Sequence, residues 1–305
     1  MRDRIIAGSR RSKLALIQTA SVISRIRAIN LNLEVSVREI VTSGDRDRHT
    51  QLDRLGTAVF VKELEEALLR REIDIAVHSL KDLPTEFPEG LRLIAVSERD
   101  DPRDALVAKA PLKQLDPGSR IGTGSLRRSI QLRMQRPDLV ICPIRGNVDT
   151  RLRKVTSGEA DGFIVAAAAM LRLGWQDKIT EYLPVNDFLP AAGQGALAVE
   201  GRLEDKELFD LISPLNHLPT WQCITSERAF LQELGGGCRA PIAALATIEG
   251  GELNLNGMIA GMDGSKVLRS SAKGKPDSAE ETGIRLARKL FSMGADLMIK
   301  EAKGC

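Results

Sequence analysis

Aromatic residues are scarce in this chain: one Tyr, two Trp and seven Phe make up 3% of its 305 residues. So few rings leave little for single-stranded bases to stack on. A surplus of charge of one sign is missing too. Forty-four Lys and Arg face 41 Asp and Glu, for a formal net charge of +3. The broad basic face of a nucleic-acid-coating protein is therefore not expected. No run approaches the ~20 apolar residues that a membrane-spanning helix needs, and Met1-Arg-Asp-Arg-Ile-Ile-Ala has no apolar stretch of signal-peptide length. Cys142, Cys223, Cys238 and Cys305 show no CxxC spacing and the three histidines are scattered, which speaks against a zinc site or a disulfide framework. The expectation is a cytoplasmic protein with no metal, no membrane and no nucleic-acid partner.

What the chain has is arginine, placed where strands hand over to helices. From residue 120 to 154 stand Arg120, Arg127, Arg128, Arg133, Arg136, Arg145, Arg151, Arg153 and Lys154, against only Asp138 and Asp149. Near the start the device recurs as Arg4-Ile-Ile-Ala-Gly-Ser-Arg10-Arg11-Ser12-Lys13. Ligands of α/β folds gather at the carboxyl ends of strands. Helix N-termini there offer free N–H groups and partial positive charge, and guanidinium adds bidentate recognition of carboxylate or phosphate. Several such corners point to a ligand with many negative charges.

Strand and helix patterns alternate from Met1 to about Val199. Strands are expected at Ile5–Ala7, Val35–Thr42, Ile73–His78, Leu91–Val96, Ile121–Thr123, Val140–Ile144 and Phe163–Ala166. Helices are expected from Ser12 to Ile29, around Phe60, Leu64 and Leu68, to about Gln135, and to Thr156. This is the βαβ rhythm of parallel, doubly wound sheets. The last third differs. A helix through Glu227–Leu234 meets three glycines, and Pro241–Ile248, Glu252–Ala260 and Lys266–Ser271 read as strands joined by tight turns. Asp277 and Glu280 form a capping-box pattern opening a helix to about Ile299. The stretch from Ser213 to Pro219 reads as a linker.

Four segments carry candidate chemistry. His78-Ser-Leu-Lys81-Asp82-Leu-Pro84 puts a carboxylate at the end of a strand, where it is either a proton-handling group or a turn Asp bonded to its own backbone. In Gly122-Thr-Gly-Ser125-Leu-Arg127-Arg128, Arg127 stands where a dinucleotide loop has its third glycine. Ser125 reads as an N-cap. Two arginines in a first helical turn oppose the macrodipole and suggest an anionic partner, with a solvated helix start as the alternative, which fits the pair less well than it fits one arginine. Arg145 and Arg151 flank Gly146-Asn147 similarly. In Gly235-Gly-Gly-Cys238-Arg239 a thiol sits on a loop without side chains beside a cation that lowers its pKa, a better setting for covalent chemistry than a buried cysteine. Pro190-Ala-Ala-Gly193-Gln194-Gly195 is either a hinge or a tight turn.

Taken in order, Ser9–Ser12, Phe60–Glu65, Ala76–Pro84, Glu98–Asp104, Gly122–Arg128, Arg145–Arg151, Leu189–Gly195 and Gly236–Ile242 resemble the porphobilinogen deaminase (hydroxymethylbilane synthase) family over essentially the whole chain. The resemblance implies two periplasmic-binding-protein-like α/β lobes, at about 1–98 plus 197–215 and at about 103–192, and a small C-terminal α+β domain at 220–305. It implies a monomeric transferase of tetrapyrrole (heme) biosynthesis that joins four porphobilinogen molecules head to tail, releasing four ammonias and then hydroxymethylbilane. The implied cofactor is a dipyrromethane, thioether-linked at Cys238. Asp82 matches the catalytic aspartate. Lys81, Ser125, Arg127, Arg128 and Arg145 match cofactor-holding positions, and Arg10, Ser12, Arg151 and Gln194 match substrate-holding ones. Gly56-Thr-Ala-Val-Phe60 departs from the family pattern, one residue short and without its lysine. A non-catalytic solute-binding protein is the rival reading: it accounts for the arginine corners and not for the glycine-loop cysteine.

Overall fold

The apolar periodicities above produce the following elements, in chain order, in a computed structural model that describes residues 2–43, 61–235 and 240–304. They are β1 (Arg4–Arg10), α1 (Lys13–Ile29), β2 (Glu34–Ile40), α2 (Lys62–Leu69), β3 (Ile75–Ser79), β4 (Leu91–Val96), β5 (Asp104–Ala108), β6 (Arg120–Gly122), α3 (Leu126–Gln135), β7 (Val140–Cys142) and α4 (Val148–Thr156). There follow β8 (Gly162–Ala166), α5 (Ala167–Arg172), β9 (Glu181–Tyr182), β10 (Leu197–Arg202), α6 (Lys206–Ile212), α7 (Leu218–Glu233), β11 (Ile242–Glu249), β12 (Glu252–Ala260), β13 (Val267–Gly274), α8 (Ala279–Ser292) and α9 (Ala295–Gly304). Cys238, Arg239, Cys305 and the Gly56–Phe60 segment lie outside the described residues.

Two units divide these elements. Residues 2–43, 61–100 and 196–221 form one; residues 101–195, 222–235 and 240–304 form the other. In the first unit the sheet order is β2-β1-β3-β10-β4. β1 runs parallel to β2 and β3, whereas β10 runs antiparallel to β3 and β4. In the second unit the order is β7-β6-β8-β5-β9, with β6 parallel to β7 and β8 and β5 antiparallel to β8 and β9. Each five-stranded sheet thus carries four strands running one way and one reversed strand, β10 in the first unit and β5 in the second. The fold class is α/β with a small C-terminal α+β part, as expected, but the expected purely parallel sheets are mixed. Burial explains the miss: a strand covered on both faces is a continuous apolar run whatever its direction, and β10 and β5 are buried along nearly their whole length.

Helices cover both faces of the first unit's sheet. Val22, Ile23 and Ile26 of α1 pack on Ile5, Val35, Ile75 and Val77. Leu64 and Leu68 of α2 pack on Ile73, Ala76 and Leu91 on the other face. Each such fully buried Leu or Ile contributes about 1.5–3 kcal/mol, so a register slip of one residue in β3 would forfeit both layers. In the second unit Leu132 of α3 joins Leu106, Ile121 and Ile164, and Met170 of α5 joins Phe163 and Val165.

The C-terminal sheet is the antiparallel meander β11-β12-β13, buried against Phe230 of α7 and Leu286 and Leu290 of α8. Here two expectations fail. The helix expected to reach Ile299 breaks after Ser292, because Gly294 takes φ +98°, and α9 restarts at Ala295. The capping box does not form: Ser278 is the N-cap without a side-chain bond, and the Asp277 carboxylate accepts from Gln222 Nε2 at 3.0 Å. The expected linker is a short 3-10 turn, Ser213–Leu215, running into the start of α7. Among the described residues no helix is long and apolar enough to cross a membrane, and no cluster of metal-ligating side chains occurs.

Candidate functional site

In the first unit the arginine corner after β1 is built as the sequence implies. Ser12 is extended at the N-cap of α1, and its Oγ accepts from Ala15 N at 3.3 Å. The first turn of α1 holds no acidic residue, so its positive end is not neutralised from within the helix. Arg10, the last residue of β1, is half-buried beside it, while Arg11 points outward to Glu39 at 3.5 Å. After β3 the chain makes one 3-10 turn, Leu80–Asp82. Buried Leu80 anchors it, with its N–H bonded to Ala196 O at 3.0 Å. Lys81 and Asp82 are half-buried, and the Asp82 carboxylate makes no hydrogen bond or ion pair among the described residues. The reading of a turn Asp bonded to its own backbone is therefore not what the chain does.

In the second unit Ser125 is the N-cap of α3, its Oγ accepting from Arg128 N at 3.5 Å, again with no acid in the first turn. The anionic partner that Arg127 and Arg128 call for is Asp104, the first residue of β5, which is wholly buried. Arg127 Nη1 donates to Asp104 Oδ2 at 2.8 Å and to Leu189 O at 2.7 Å, and Nη2 donates to Oδ1 at 3.3 Å. Arg128 Nε and Nη2 donate to Asp104 Oδ1 at 3.0 and 2.7 Å, Nη1 to Ile164 O at 3.3 Å, and Nη2 also to Gln194 Oε1 at 3.4 Å. Burial alone would raise the Asp104 carboxyl, but the two guanidinium charges outweigh it and hold the carboxyl well below the usual carboxylate range. Burial likewise lowers Arg127. A guanidinium has five N–H donors, so Arg127 keeps two uncommitted and Arg128 one.

Gln194 sits in the same knot, 1% exposed, its Nε2 donating to Pro102 O at 2.7 Å, Arg103 O at 3.2 Å and Asp104 Oδ1 at 3.0 Å. A side chain so enclosed braces the Asp104 cluster; the expected role as a substrate ligand does not fit its burial. Arg145 and Arg151 differ. Gly146 between Arg145 and α4 takes φ +105°, and a Cβ there would lie 2.7 Å from the Thr150 side chain, so only glycine makes this turn. Arg151 Nε donates to Gly146 O at 2.9 Å. Burial first and the like charge of Arg128 second push Arg151 down to about 10. Neither Arg145 nor Arg151 pairs with a carboxylate among the described residues. Four arginines therefore occupy these two corners, and among the described residues Asp104 is the only carboxylate that answers any of them.

Sequence reasoning missed Asp104 as the holder of the pair. Its one signal was an acidic residue opening the apolar run Ala105-Leu-Val-Ala. It also missed Arg172 at the end of α5, whose Nη2 donates to Gly195 O at 2.6 Å.

Two family models match the chain: porphobilinogen deaminase, dipyrromethane cofactor binding domain, over residues 5–210, and porphobilinogen deaminase, C-terminal domain, over residues 221–292. Among curated proteins the chain is similar to the porphobilinogen deaminase of Pelobacter propionicus, 47% identical over 296 residues with 96% of each chain covered. That of Thermus thermophilus is 46% identical over 293 residues, covering 95% of this chain and 96% of the relative. Among solved structures it is similar to the methionine-binding protein MetQ, with a TM-score of 0.45, 13% identity, and 70% of this chain and 89% of that one covered.

Proposed function

This chain belongs to the porphobilinogen deaminase family, and on that premise we propose that Asp82 is its catalytic carboxylate and Cys238 the attachment point of its dipyrromethane. The protein is a transferase that condenses four porphobilinogen molecules into hydroxymethylbilane in tetrapyrrole biosynthesis, and it carries the dipyrromethane cofactor. The observation that carries the residue assignment is the Asp82 carboxylate itself: half-buried, ending the turn after β3, and committed to no partner among the described residues. A carboxylate left uncommitted is available to stabilise the positive charge that develops as the aminomethyl group loses ammonia, and to hydrogen-bond a pyrrole N–H or hold a proton during bond formation.

The donor chemistry of the second unit fits a group bearing acetate and propionate arms. We assign the cofactor's carboxylates to Ser125, Arg145 and the uncommitted donors of Arg127 and Arg128, with Lys81 of the first unit. Arg10, Ser12 and Arg151 are assigned to substrate carboxylates. The cofactor, when bound, supplies the pyrrole carbon nucleophile that primes the chain. The protein's own part is to orient carboxylate arms by fixed cations, which raises the effective molarity of coupling, and to keep water from the reacting carbon. The three-part division, 1–98 with 197–215, 103–192 and 220–305, is kept as part of the proposal. So are a monomeric state and a cytoplasmic setting.

Intact mass of the denatured protein beside Cys238→Ala tests the attachment. A surplus equal to a dipyrromethane is expected in the wild type alone, and the same surplus in both proteins would move the attachment elsewhere. Asp82→Asn is expected to keep the cofactor and the fold while losing turnover by about 10³-fold or more; turnover within tenfold of wild type would remove Asp82 from the catalytic role. A wild type that takes up no surplus after incubation with porphobilinogen and releases no ammonia would leave the solute-binding reading in its place.

A further inference from the structure

Four residues before Asp82, on the same strand, lies a buried ionic cluster that the reaction as described does not use. His78 of β3 and Glu200 of β10 are 3% and 0% exposed at their side chains, with Nε2 and Oε2 2.9 Å apart. The register explains the contact: Ala198 is opposite His78 and Glu200 opposite Ala76, so His78 and Glu200 are diagonal neighbours on one face of the sheet. That face is the one α2 covers, since Ala76 packs with Leu64 and Leu68. α2 also carries Glu65, half-buried next to Leu64 on the helix that covers this face.

The cluster is short of donors. His78 Nε2 and Glu200 Oε2 stand at ion-pair distance without hydrogen-bond alignment, and among the described residues Glu200 Oε1 and Glu65 Oε1 are buried without a hydrogen-bond partner. Buried polar atoms in that state are costly, and two ionised carboxylates facing one imidazole leave the group net negative even with the imidazole protonated. The other charged groups on this face are engaged elsewhere or stand at its rim. Glu63 of α2 accepts from Ser43 N at 2.6 Å. Arg38 of β2 pairs with Glu72 at 2.8 Å. Arg202 of β10 donates to Leu68 O and Ile73 O at 3.0 and 2.7 Å and pairs with Asp74 and Asp205. Arg10 of β1 falls two residues beyond Gly8, the register partner of Ala76, and so shares the face. Arg92 of β4 lies over the Phe209 ring, which packs on the opposite face.

We propose that Glu65, His78 and Glu200 form a proton-holding cluster, and that this cluster positions the Ser79–Asp82 turn for the reaction. Burial first and the Glu200 charge second push the Glu65 carboxyl up to about 7, against a smaller pull from His78, so that it gains and loses its proton near neutral pH. The positions are contiguous in the chain: His78 and Ser79 end β3, and Leu80–Asp82 is the turn that follows. Ser79 is itself tied to α1, where Gln18 Nε2 donates to its Oγ at 2.9 Å. β3 thus delivers Asp82 from a strand end held on one face by the Glu65 cluster and on the other by α1. In this arrangement the three residues are positioning residues and not catalytic ones.

A carboxyl raised from its ordinary value contributes stability that is fully present below pH 4.5 and is lost as the pH rises through about 7. For the holoenzyme, Tm is therefore expected to fall by about 2–4 °C between pH 5.5 and 8.5 from this group, and Glu65→Gln, which fixes the neutral shape, should remove that part of the slope. Superimposable slopes for wild type and Glu65→Gln would overturn the proton-holding claim. Glu200→Gln is expected to lower kcat about tenfold with KM within about twofold; an unchanged kcat, or kcat and KM falling together, overturns the positioning claim. Should that variant fail to fold, His78→Gln reads the same split. The positioning claim rests on the assignment of Asp82, whereas the Tm slope does not. An Asp82→Asn protein with full turnover would thus sink that assignment and leave the slope standing.

Discussion

The two units bury ionic clusters of opposite character. In the second, one carboxylate, Asp104, is answered by two guanidinium groups, three of whose hydrogen bonds to it are 2.7 to 3.0 Å long. In the first, Glu200 stands 2.9 Å from the His78 imidazole, and among the described residues Glu200 Oε1 and Glu65 Oε1 are buried without a hydrogen-bond partner. Burial raises a carboxyl in both, yet the outcome diverges: Asp104 is held far down and Glu65 is pushed up. The lesson is that burial does not set the protonation state by itself; the count of neighbouring charges does. A saturated cluster makes a fixed platform for the arginine corners, and an unsatisfied one makes a site that exchanges a proton.

The sharpest way to break that contrast is to delete the shared anion of the second unit. Asp104→Ala leaves Arg127 and Arg128 buried against each other, and removing one partner of a buried ion pair costs about 3–5 kcal/mol. Chemical denaturation of the cofactor-free protein should show this loss in the transition of the second unit, with the first unit unaffected. A loss below about 1 kcal/mol would mean that the arginines are not held by Asp104 in solution. Acid provides the same test without mutation. The folded Asp104 lies below its ordinary value of 3.8, so its stabilisation is full above pH 3.8 and is lost only as the pH falls well below that. The first unit's Glu65 acts at the alkaline end, so the two clusters should weaken at opposite ends of the pH range.

A smaller effect is expected from Gln194→Ala, which removes the amide's contacts to Pro102 O, Arg103 O and Asp104 Oδ1, shared between two N–H groups, and the bond accepted from Arg128, but no charge. Losing a buried hydrogen-bonding group without leaving a bare ion costs about 1–3 kcal/mol. Turnover that falls far more than this loss of stability accounts for would return Gln194 to the substrate-binding role that its burial argues against.

Much of this was legible beforehand, and the failures have a common cause. Ser125 stood out as a cap because a cap is a local bond, made three residues away, and it forms, as does the same bond at Ser12 where the helix was expected to begin. Leu64 and Leu68 declared the buried stripe of α2 because helical periodicity is local as well. What the order of residues could not reveal were partners distant in the chain. β10 enters the first sheet from residue 197, Asp104 meets Arg127 across 23 positions, and Glu200 meets His78 across more than a hundred. The capping box failed for the same reason, since Asp277 is taken by Gln222. The arginine pair was read correctly as needing an anion, and the anion was inside the fold.

The two caps offer the finest comparison between the units, because the same residue does the same local work in each. Ser12 Oγ to Ala15 N is 3.3 Å and Ser125 Oγ to Arg128 N is 3.5 Å. Replacing a serine N-cap by alanine costs about 0.5–2 kcal/mol, and the longer bond at Ser125 puts it toward the lower end. Ser12→Ala should therefore destabilise slightly more than Ser125→Ala in thermal melts of the two cofactor-free variants. If capping is all these hydroxyls do, cofactor loading and KM for porphobilinogen follow stability and barely move. If they also hold carboxylate arms, the order separates by role: Ser125→Ala retards cofactor loading, read by intact mass, and Ser12→Ala raises KM. Identical small losses in every readout would confine both serines to their helices and leave carboxylate binding to the arginines beside them.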